Sequence, residues 1–304
     1  MKKNVLITGG TGFVGKNLTN LLVSAGYSVS IVTRSVQVNT PDVSYYELNV
    51  SEKKIDKQAV LNADYIVHLA GENIAEKRWT TKRKAAIITS RVLPVELMFS
   101  ILDKNDIKTK AFISASAVGI YGADNRDEIC NEETPVADDF LGVTCQKWEQ
   151  AADQIENLGI RTVKIRTGLV LGKNEGFLKN LVPVFKNRMG AALGSGKQYM
   201  PWIHIEDLCK MYLEAIENSE LSGPYNAAIN DGTTNKIFSQ ALSRIFSYSL
   251  WLPNVPAFLI RLGMGEMAKI VLTGKRISSD KISNTGFKFE FTDLKKALSN
   301  CIGK

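Results

Sequence analysis

The residues best suited to chemistry in this chain are the glycines of a short segment near its start, Gly9-Gly10-Thr11-Gly12-Phe13-Val14-Gly15. The spacing fits Gly10-x-Gly12-x-x-Gly15 or Gly9-x-x-Gly12-x-x-Gly15. The segment follows a β-branched run and precedes helically spaced leucines, which is the strand–turn–helix context of a dinucleotide site. Glycines there allow a tight turn, the approach of a pyrophosphate to backbone amides, and close packing of helix on strand. The segment predicts dinucleotide binding.

The absence of carboxylates after this segment bears on the kind of dinucleotide. NAD sites place Asp or Glu about 20 residues beyond the glycines, at the end of the second strand, to hold the ribose hydroxyls. No acidic residue occurs between Lys16 and Pro41, and Thr33-Arg34-Ser35 occupies the expected position. A guanidinium there suits the 2′-phosphate of NADP, because it offers paired hydrogen bonds. The sequence therefore predicts NADP rather than NAD, with a strand-capping surface role for Arg34 as the alternative.

Few other side chains suit metal or thiol chemistry. The cysteines are far apart and form no Cys-x-x-Cys pair: Cys130, Cys145, Cys209 and Cys301. This spacing argues against zinc and disulfides and favours a reducing, cytoplasmic location. The histidines are His68 and His204. We expect no metal site, and we expect both histidines to be structural, with proton transfer by His204 as the alternative.

Strands alternate with helically patterned segments in the first half of the chain. The predicted strands are 4–8, 29–33, 43–48, 64–69, 111–114 and 161–166. This alternation implies right-handed crossovers and therefore a doubly wound parallel sheet of the Rossmann type, in the α/β class.

The pattern loosens after about residue 172, which predicts a second part of different character. We expect a Rossmann domain over residues 1–170. Residues 171–304 would hold late Rossmann elements and a smaller, partly interleaved substrate lobe at the C-terminus, with helices at 206–218 and near 257–262. We expect Trp251 and Phe258 to be core residues.

Composition limits the possible partners. The chain has 304 residues, a formal net charge of +7, 44% hydrophobic residues and 23% charged residues, which is typical of a globular protein. No apolar run reaches about 18 residues, so we expect no transmembrane helix and no membrane partner. The basic residues between Lys77 and Lys84 predict a solvated helix face, with a phosphate contact as the alternative. No nucleic-acid motif accompanies them.

Several segments resemble the extended short-chain dehydrogenase/reductase superfamily, and within it the NAD(P)-dependent epimerase/dehydratases. They are Thr8 to Gly15, Val67-His68-Leu69-Ala70-Gly71, Ser114-Ala115-Ser116 through Tyr121-Gly122, and Trp202 to Asp207. Further segments are similar to the YfcH-type branch, whose members resemble one another in a small C-terminal lobe and a preference for NADP. They are Ala70 to Ile74, Lys147-Trp148-Glu149, Gly168 to Gly172, Pro201 to His204 and Thr285-Gly286-Phe287.

The resemblance implies a set of site residues. Ser116 matches the active-site serine. Apart from the resemblance, Tyr121 lies in a loop beyond a strand end and is a candidate for substrate binding or acid/base chemistry, with simple packing as the alternative. The cofactor would be held by Gly9, Thr11, Gly12, Phe13, Val14, Gly15, Thr33, Arg34, Leu69, Ala70, Gly71, Arg91 and Thr167.

The catalytic positions depart from the superfamily pattern. Those enzymes carry Tyr-x-x-x-Lys on the helix after the fifth strand. Alignment on Glu149 puts Leu141 at the tyrosine position and Cys145 at the lysine position. A leucine cannot transfer a proton, and a thiol is no fixed cation. Alignment on Lys147 places Val143 at the tyrosine position and so also yields no tyrosine.

The preferred function is therefore an NADP-binding oxidoreductase or epimerase-like protein. It would act on a small carbonyl or hydroxyl compound or a nucleotide sugar, without the usual Tyr-x-x-x-Lys pair. The rivals are a non-catalytic NADP-binding sensor or interaction protein, and a sugar-nucleotide epimerase that retains its cofactor. The substrate and the oligomeric state stay open, with a homo-oligomer as one possibility.

Overall fold

A computed structural model of the chain describes residues 2–124, 127–173 and 175–303. The strands are β1 (Asn4–Thr8), β2 (Ser28–Thr33), β3 (Val43–Asn49), β4 (Lys54–Ile55), β5 (Tyr65–His68), β6 (Ala111–Ala117), β7 (Ile129–Cys130), β8 (Arg161–Thr167), β9 (Leu169–Leu171), β10 (Trp202–His204), β11 (Gly223–Ala227) and β12 (Arg276–Ile277). The α-helices are α1 (Phe13–Ser24), α2 (Lys57–Leu61), α3 (Thr81–Leu102), α4 (Phe140–Glu156), α5 (Gly176–Lys186), α6 (Ile205–Glu217), α7 (Asn235–Ile245), α8 (Ala257–Met264), α9 (Lys269–Leu272), α10 (Asp280–Ser283) and α11 (Leu294–Ile302).

The central sheet has eight strands in the order β11-β8-β6-β5-β1-β2-β3-β4. Its neighbours pair in parallel except at β3 and β4, which are antiparallel. The chain moves outward from β1 to β3 and then resumes at β5 on the other side of β1. This reversal creates a crevice beyond the carboxyl ends of β1 and β5, where sheets of this kind hold ligands. The predicted doubly wound Rossmann fold is confirmed.

All the predicted strands belong to this sheet, but the prediction missed its two edge strands, the dipeptide β4 and the longer β11. That strand begins with Gly223-Pro224, a pair that is typical of a turn. Proline is tolerated here because β11 pairs with β8 alone and so lies at the edge. The outer side of β11 is covered in part by Lys281, whose Nζ donates to the Pro224 carbonyl oxygen at 2.8 Å.

Side chains of successive strand residues enter different cores, because they point to opposite faces of the sheet. Val5 and Ile7 of β1 pack with α1 and α6, whereas Leu6 packs with residues of α2, α3 and α4. A third cluster forms around Trp202 with residues of α5, α7 and α11. The two faces of the sheet are thus covered by separate cores.

The part of the chain after residue 170 contributes to the main sheet through β11 and α6, while β9 pairs with β10 in a small separate sheet. The domain boundary near residue 170 stays a prediction. The expectation that Trp251 and Phe258 are core residues is wrong: their exposed fractions are 70% and 66%. Their spacing matched a buried stripe, but Ile260 is the residue of α8 that turns inward.

Helix α3 is long and apolar enough to cross a membrane by length and composition. Its apolar side chains are used inside the fold instead. Val95, Met98 and Leu102 pack in the same core as Leu6 and Phe112 of the sheet. This packing identifies α3 as a core helix of the Rossmann unit.

We predict that Gly15→Ala lowers the free energy of unfolding by about 1–3 kcal/mol, as overpacking does in tight sites. A β-carbon at Gly15 would lie 2.4 Å from the Gly9 carbonyl oxygen and 2.5 Å from the Gly10 Cα. Gly12→Ala is the matched control, because its β-carbon would meet only the Gly9 oxygen, at 3.3 Å. Its cost should stay below about 1 kcal/mol. Urea unfolding measures both, and equal losses would contradict this account of the turn.

Candidate cofactor and catalytic site

The glycine turn joins the end of β1 to the start of α1 and touches the loop after β5. Gly9 has a φ of +75°, and a β-carbon there would lie 2.8 Å from the Leu69 carbonyl carbon. Only glycine permits this conformation together with this contact. The sequence-predicted Leu69 and Ala70 are therefore brought directly against the turn.

The start of α1 presents unpaired backbone donors to the crevice. Gly12 is the residue before the helix, no side chain caps it, and the first turn carries no acid. Among the described residues, no carbonyl or side chain accepts a hydrogen bond from the amides of Phe13 and Val14. Gly12 is exposed, and space is open beside it. Such a helix start fits a diphosphate, because free amides and the helix dipole both favour an anion.

Arg34 lies just beyond the end of β2, beside Thr33, and its side chain is exposed. Within the described ranges, no carboxylate forms an ion pair with it. The Thr33 hydroxyl accepts from the Ser35 amide at 3.3 Å, which fixes the short loop that carries Arg34. The guanidinium is thus available to an anionic ligand.

A chain of hydrogen bonds runs under the turn from β1 to α3. His68 Nε2 lies 2.8 Å from the Arg91 carbonyl oxygen, and its Nδ1 lies 2.7 Å from Thr8 Oγ1. Since the carbonyl can only accept, Nε2 donates and Nδ1 accepts from the Thr8 hydroxyl. Complete burial lowers the pKa of His68 to about 4, so the imidazole is neutral. The expectation of a structural histidine is confirmed.

Arg91 of α3 packs against the loop that follows β5. Its guanidinium stacks over the Trp148 ring at 5.0 Å and donates to the Glu72 carbonyl oxygen at 3.1 Å. A β-carbon on Gly71 would lie 3.0 Å from the Arg91 Cζ. Burial lowers the pKa of Arg91. Arg91 and Gly71 therefore form one surface next to Ala70.

A buried ion pair lies at the carboxyl end of β6 and β8. Ser116 Oγ donates to Glu149 Oε1 at 2.7 Å. Arg166 grips the same carboxylate with Nε and Nη2, at 2.8 and 2.9 Å. Burial opposes the charge on Arg166, but the bonds and attraction to Glu149 outweigh it and raise the pKa of Arg166. Ser116 is thus held by a charged partner, and its exposed fraction is 3%.

Tyr121 belongs to the same network. Its hydroxyl donates to Asn226 Oδ1 at 2.7 Å and accepts from Arg166 Nη1 at 3.0 Å. Burial raises the pKa of Tyr121 to about 12. The phenol is therefore protonated at neutral pH.

Leu141 and Cys145 face the 3-10 turn Val118–Tyr121 that carries Tyr121. A β-carbon on Gly119 would lie 3.5 Å from the Leu141 Cβ and 3.8 Å from the Cys145 Sγ. Burial, followed by the Glu149 charge, raises the pKa of Cys145 to about 12. At neutral pH these positions therefore present an alkyl group and a neutral thiol.

A segment from the C-terminal part of the chain packs against Leu141. Met264, Met267 and Ile270 pack in one cluster with Trp79 and Leu141. The contact brings the segment after α8 against the helix α4 that would carry a catalytic tyrosine. The environment of Leu141 is consequently apolar.

Thr167 and Phe13 are two further residues that the sequence analysis predicts to hold the cofactor. Thr167 is half-buried at the end of β8. The ring of Phe13 fills the space beside Gly172, where a β-carbon would come within 2.4 Å of it. His204 stands apart: it caps α6, stacks on Phe291 at 3.7 Å and bonds Asn300 at 3.1 Å, as expected of a structural histidine.

A separate depression of about 260 Å³ lies beside β3 and β4, at the far edge of the sheet. Its lining residues are Glu47, Asn49, Glu52, Lys54, Ile55 and Asp56. The carboxylates there would repel a diphosphate. The start of α1, with its uncapped amides, is the more favourable of the two places for an anion.

Sequence reasoning used Glu149 for alignment alone and gave no role to Arg166 or Asn226. A signal for one of them was present, because Arg166 is charged within a strand that is otherwise predicted to be buried. Buried charges are almost always paired, so that arginine required a carboxylate partner. The partner's identity required the fold, which brings α4 against β8.

A doubly wound sheet with a glycine turn at its reversal point defines a Rossmann-type nucleotide-binding protein. The chain belongs to the NAD dependent epimerase/dehydratase family, whose model matches residues 5–228. Residues 255–301 match a second model, described as a domain of unknown function (DUF1731).

Named relatives cover almost the whole chain. It is 35% identical to the epimerase family protein YfhF of Bacillus subtilis, over 98% of each chain. It is similar to the human epimerase family protein SDR39U1, solved with NADPH: TM-score 0.86, 28% identity and 99% of both chains covered. A nucleoside-diphosphate sugar epimerase from Corynebacterium glutamicum gives a TM-score of 0.79 at 31% identity, covering 100% of this chain and 59% of that one.

We predict that His68 makes folding stability fall as the pH is lowered from about 6.5 to about 4. The unfolded chain takes up a proton on His68 near pH 6.5, whereas the folded protein does so only near pH 4. The unfolded state therefore binds more protons in this window, and the loss approaches about 3 kcal/mol.

Urea unfolding at a series of pH values measures this loss. His68→Gln should flatten the dependence, while His204→Gln should leave the His68 share in place. Identical pH dependence in the unchanged protein and in His68→Gln would contradict the assignment.

Proposed function

We propose that this protein binds NADP at the glycine turn and works as an oxidoreductase or epimerase-like protein on a small carbonyl or hydroxyl compound or a nucleotide sugar. The observation that carries the proposal is the uncapped start of α1, where the Phe13 and Val14 amides have no acceptor among the described residues, together with Arg34 beyond β2, which pairs with no carboxylate in the described ranges. The similar human protein solved with NADPH supports the same cofactor. Buried free cysteines accord with a cytoplasmic location.

The chain's own residues supply distinct parts of such a site. The amides at the start of α1 suit the diphosphate, and Thr33 and Arg34 suit the 2′-phosphate. The base of the cofactor site would be formed by Leu69, Ala70 and Gly71 after β5 and by Arg91 of α3. Thr11, Val14 and the turn glycines would line the phosphates, and Thr167 would border the nicotinamide end.

Bound NADP supplies a hydride acceptor or, when reduced, a hydride donor. Ser116 would hold the reacting oxygen: its proton is engaged by Glu149, so its lone pairs remain to accept a bond from a substrate hydroxyl. Tyr121, protonated at neutral pH, would act only as a hydrogen-bond or proton donor.

A specific observation favours a second candidate, a non-catalytic NADP-binding sensor or interaction protein. Leu141 and Cys145 offer no acid/base group, and the hydroxyls of Ser116 and Tyr121 are buried and already bonded. A protein of this kind would keep the cofactor site while lacking a proton path.

We predict that NADP binds about 10- to 100-fold more tightly than NAD, because one charge-assisted bond to phosphate contributes roughly 1.5–3 kcal/mol. Arg34→Ala should weaken NADP by that factor and leave NAD nearly unchanged, and higher salt should weaken NADP more than NAD. Isothermal titration calorimetry gives both dissociation constants.

Arg244→Ala is the matched control, because this exposed arginine lies on α7, away from the turn. Gly12→Val should abolish binding of both dinucleotides in a folded protein, since its side chain would fill the space beside the amides. Equal affinities in the unchanged protein would overturn the NADP preference, and tight binding by Gly12→Val would overturn the site.

We predict weak or no turnover of common nucleotide sugars with NADP, because a positioned acid/base group contributes about 10²–10⁴-fold. A panel assay that follows reduced-nicotinamide absorbance measures it. Brisk turnover that is abolished in Ser116→Ala or Tyr121→Phe would show that these hydroxyls replace the missing pair. Reduced-nicotinamide fluorescence that persists in the purified protein would indicate an epimerase that retains its cofactor.

A further inference from the structure

The outer face of α8 is apolar and uncovered by the described residues. Phe258 and Leu262 have exposed fractions of 66% and 75%, and Leu259 is also exposed. Residues four apart share one side of a helix, so Phe258 and Leu262 stand together with Leu259 beside them. Ile260, on the opposite side, is the buried residue of this helix.

This face is held rigidly on the molecule. Arg78 Nη2 donates to the Leu262 carbonyl oxygen at 2.8 Å and to the Gly263 carbonyl oxygen at 2.7 Å, and so caps the end of α8. Lys84 pairs with Glu266 at 2.7 Å. The segment beyond the helix is anchored through Met267 against Trp79. The exposed apolar side chains therefore belong to a fixed surface.

Exposed basic side chains lie on α8 and close in sequence to Arg78, which bonds to the end of that helix. Arg261 lies on α8 itself, and Lys77 and Lys82 flank Arg78 along the chain, all of them exposed. Of the nearby acids, Glu266 is paired with Lys84, and Glu76 lies 3.6 Å from Arg83. A surface with an apolar centre and a basic border is complementary to a negatively charged lipid bilayer.

We infer that the outer face of α8 docks on the surface of an anionic membrane. Phe258, Leu259 and Leu262 would enter the boundary between headgroups and acyl chains, while the basic side chains face lipid phosphates. The expectation of no membrane partner rested on the absence of an apolar run of about 18 residues, which bears on a membrane-spanning helix and not on docking at a membrane surface. The inference gives a role to the segment that matches a domain of unknown function, and it is independent of the proposed cofactor chemistry.

Co-sedimentation of the full-length protein with vesicles of phosphatidylcholine, with and without 30% phosphatidylglycerol, tests the inference; the composition is about that of a strongly anionic leaflet. We expect binding to the anionic vesicles and little to the neutral ones. Phe258→Ser with Leu262→Ser should weaken binding by at least about tenfold through lost apolar burial. Lys77→Ala and Lys82→Ala should each weaken it about fivefold, and high salt should do so further.

Two control variants distinguish binding through this face from nonspecific binding of apolar or basic residues to vesicles. Val38 has an exposed fraction of 88% in the loop after β2, and Lys57 is exposed at the start of α2. Val38→Ser and Lys57→Ala should bind as the unchanged protein does. Circular dichroism melting confirms that each variant is folded.

Three outcomes would overturn the inference. They are equal binding to neutral and anionic vesicles, unchanged binding by the folded Phe258→Ser/Leu262→Ser variant, and absence of vesicle binding. In the last case, a concentration-dependent dimer that this double variant abolishes would assign the face to a second copy of the chain.

Discussion

The buried pair of Glu149 and Arg166 is the interaction on which the middle of the molecule depends. Taking a carboxylate and a guanidinium out of water is costly, and the cost is offset only when both are fully bonded. Arg166 makes a bidentate ion pair with Glu149 and donates a further hydrogen bond to the Tyr121 hydroxyl. The pair thereby fixes α4 against β8 and, through Tyr121 and Asn226, connects both to the edge strand β11.

The same ion pair also competes with a substrate for the hydroxyls of the site. The two candidate catalytic residues, Ser116 and Tyr121, also supply hydrogen bonds to this buried ion pair. Ser116 donates a hydrogen bond to Glu149, and Tyr121 accepts one from Arg166. A substrate oxygen that recruits either hydroxyl must do so without leaving a buried charge short of partners. The glycine turn carries no comparable conflict, since its free amides have no partner to lose.

The sequence predicts the parts of the fold whose pattern is local. Val5 to Ile7 and Tyr65 to Val67 are short apolar runs with glycine shortly after them, and alternation with helices then dictates a parallel sheet. The glycine turn is equally local, because its conformation depends on residues within one strand–helix unit. The Glu149–Arg166 pair was beyond reach, because its partners are brought together by tertiary packing. Phe258 was misassigned for a related reason: periodicity gives the apolar side of a helix but not whether another element covers it.

The treatment of the sheet's two edges limits how copies of this chain can associate. An open edge strand offers unpaired amides and carbonyls to any strand of another chain. On β11, Pro224 has no amide to offer, and Lys281 already occupies its carbonyl while its ammonium lies 4.4 Å from the centre of the Tyr225 ring. The opposite edge, β4, is only the dipeptide Lys54–Ile55. Both ends of the sheet are therefore poorly suited to pairing with a strand of a second molecule.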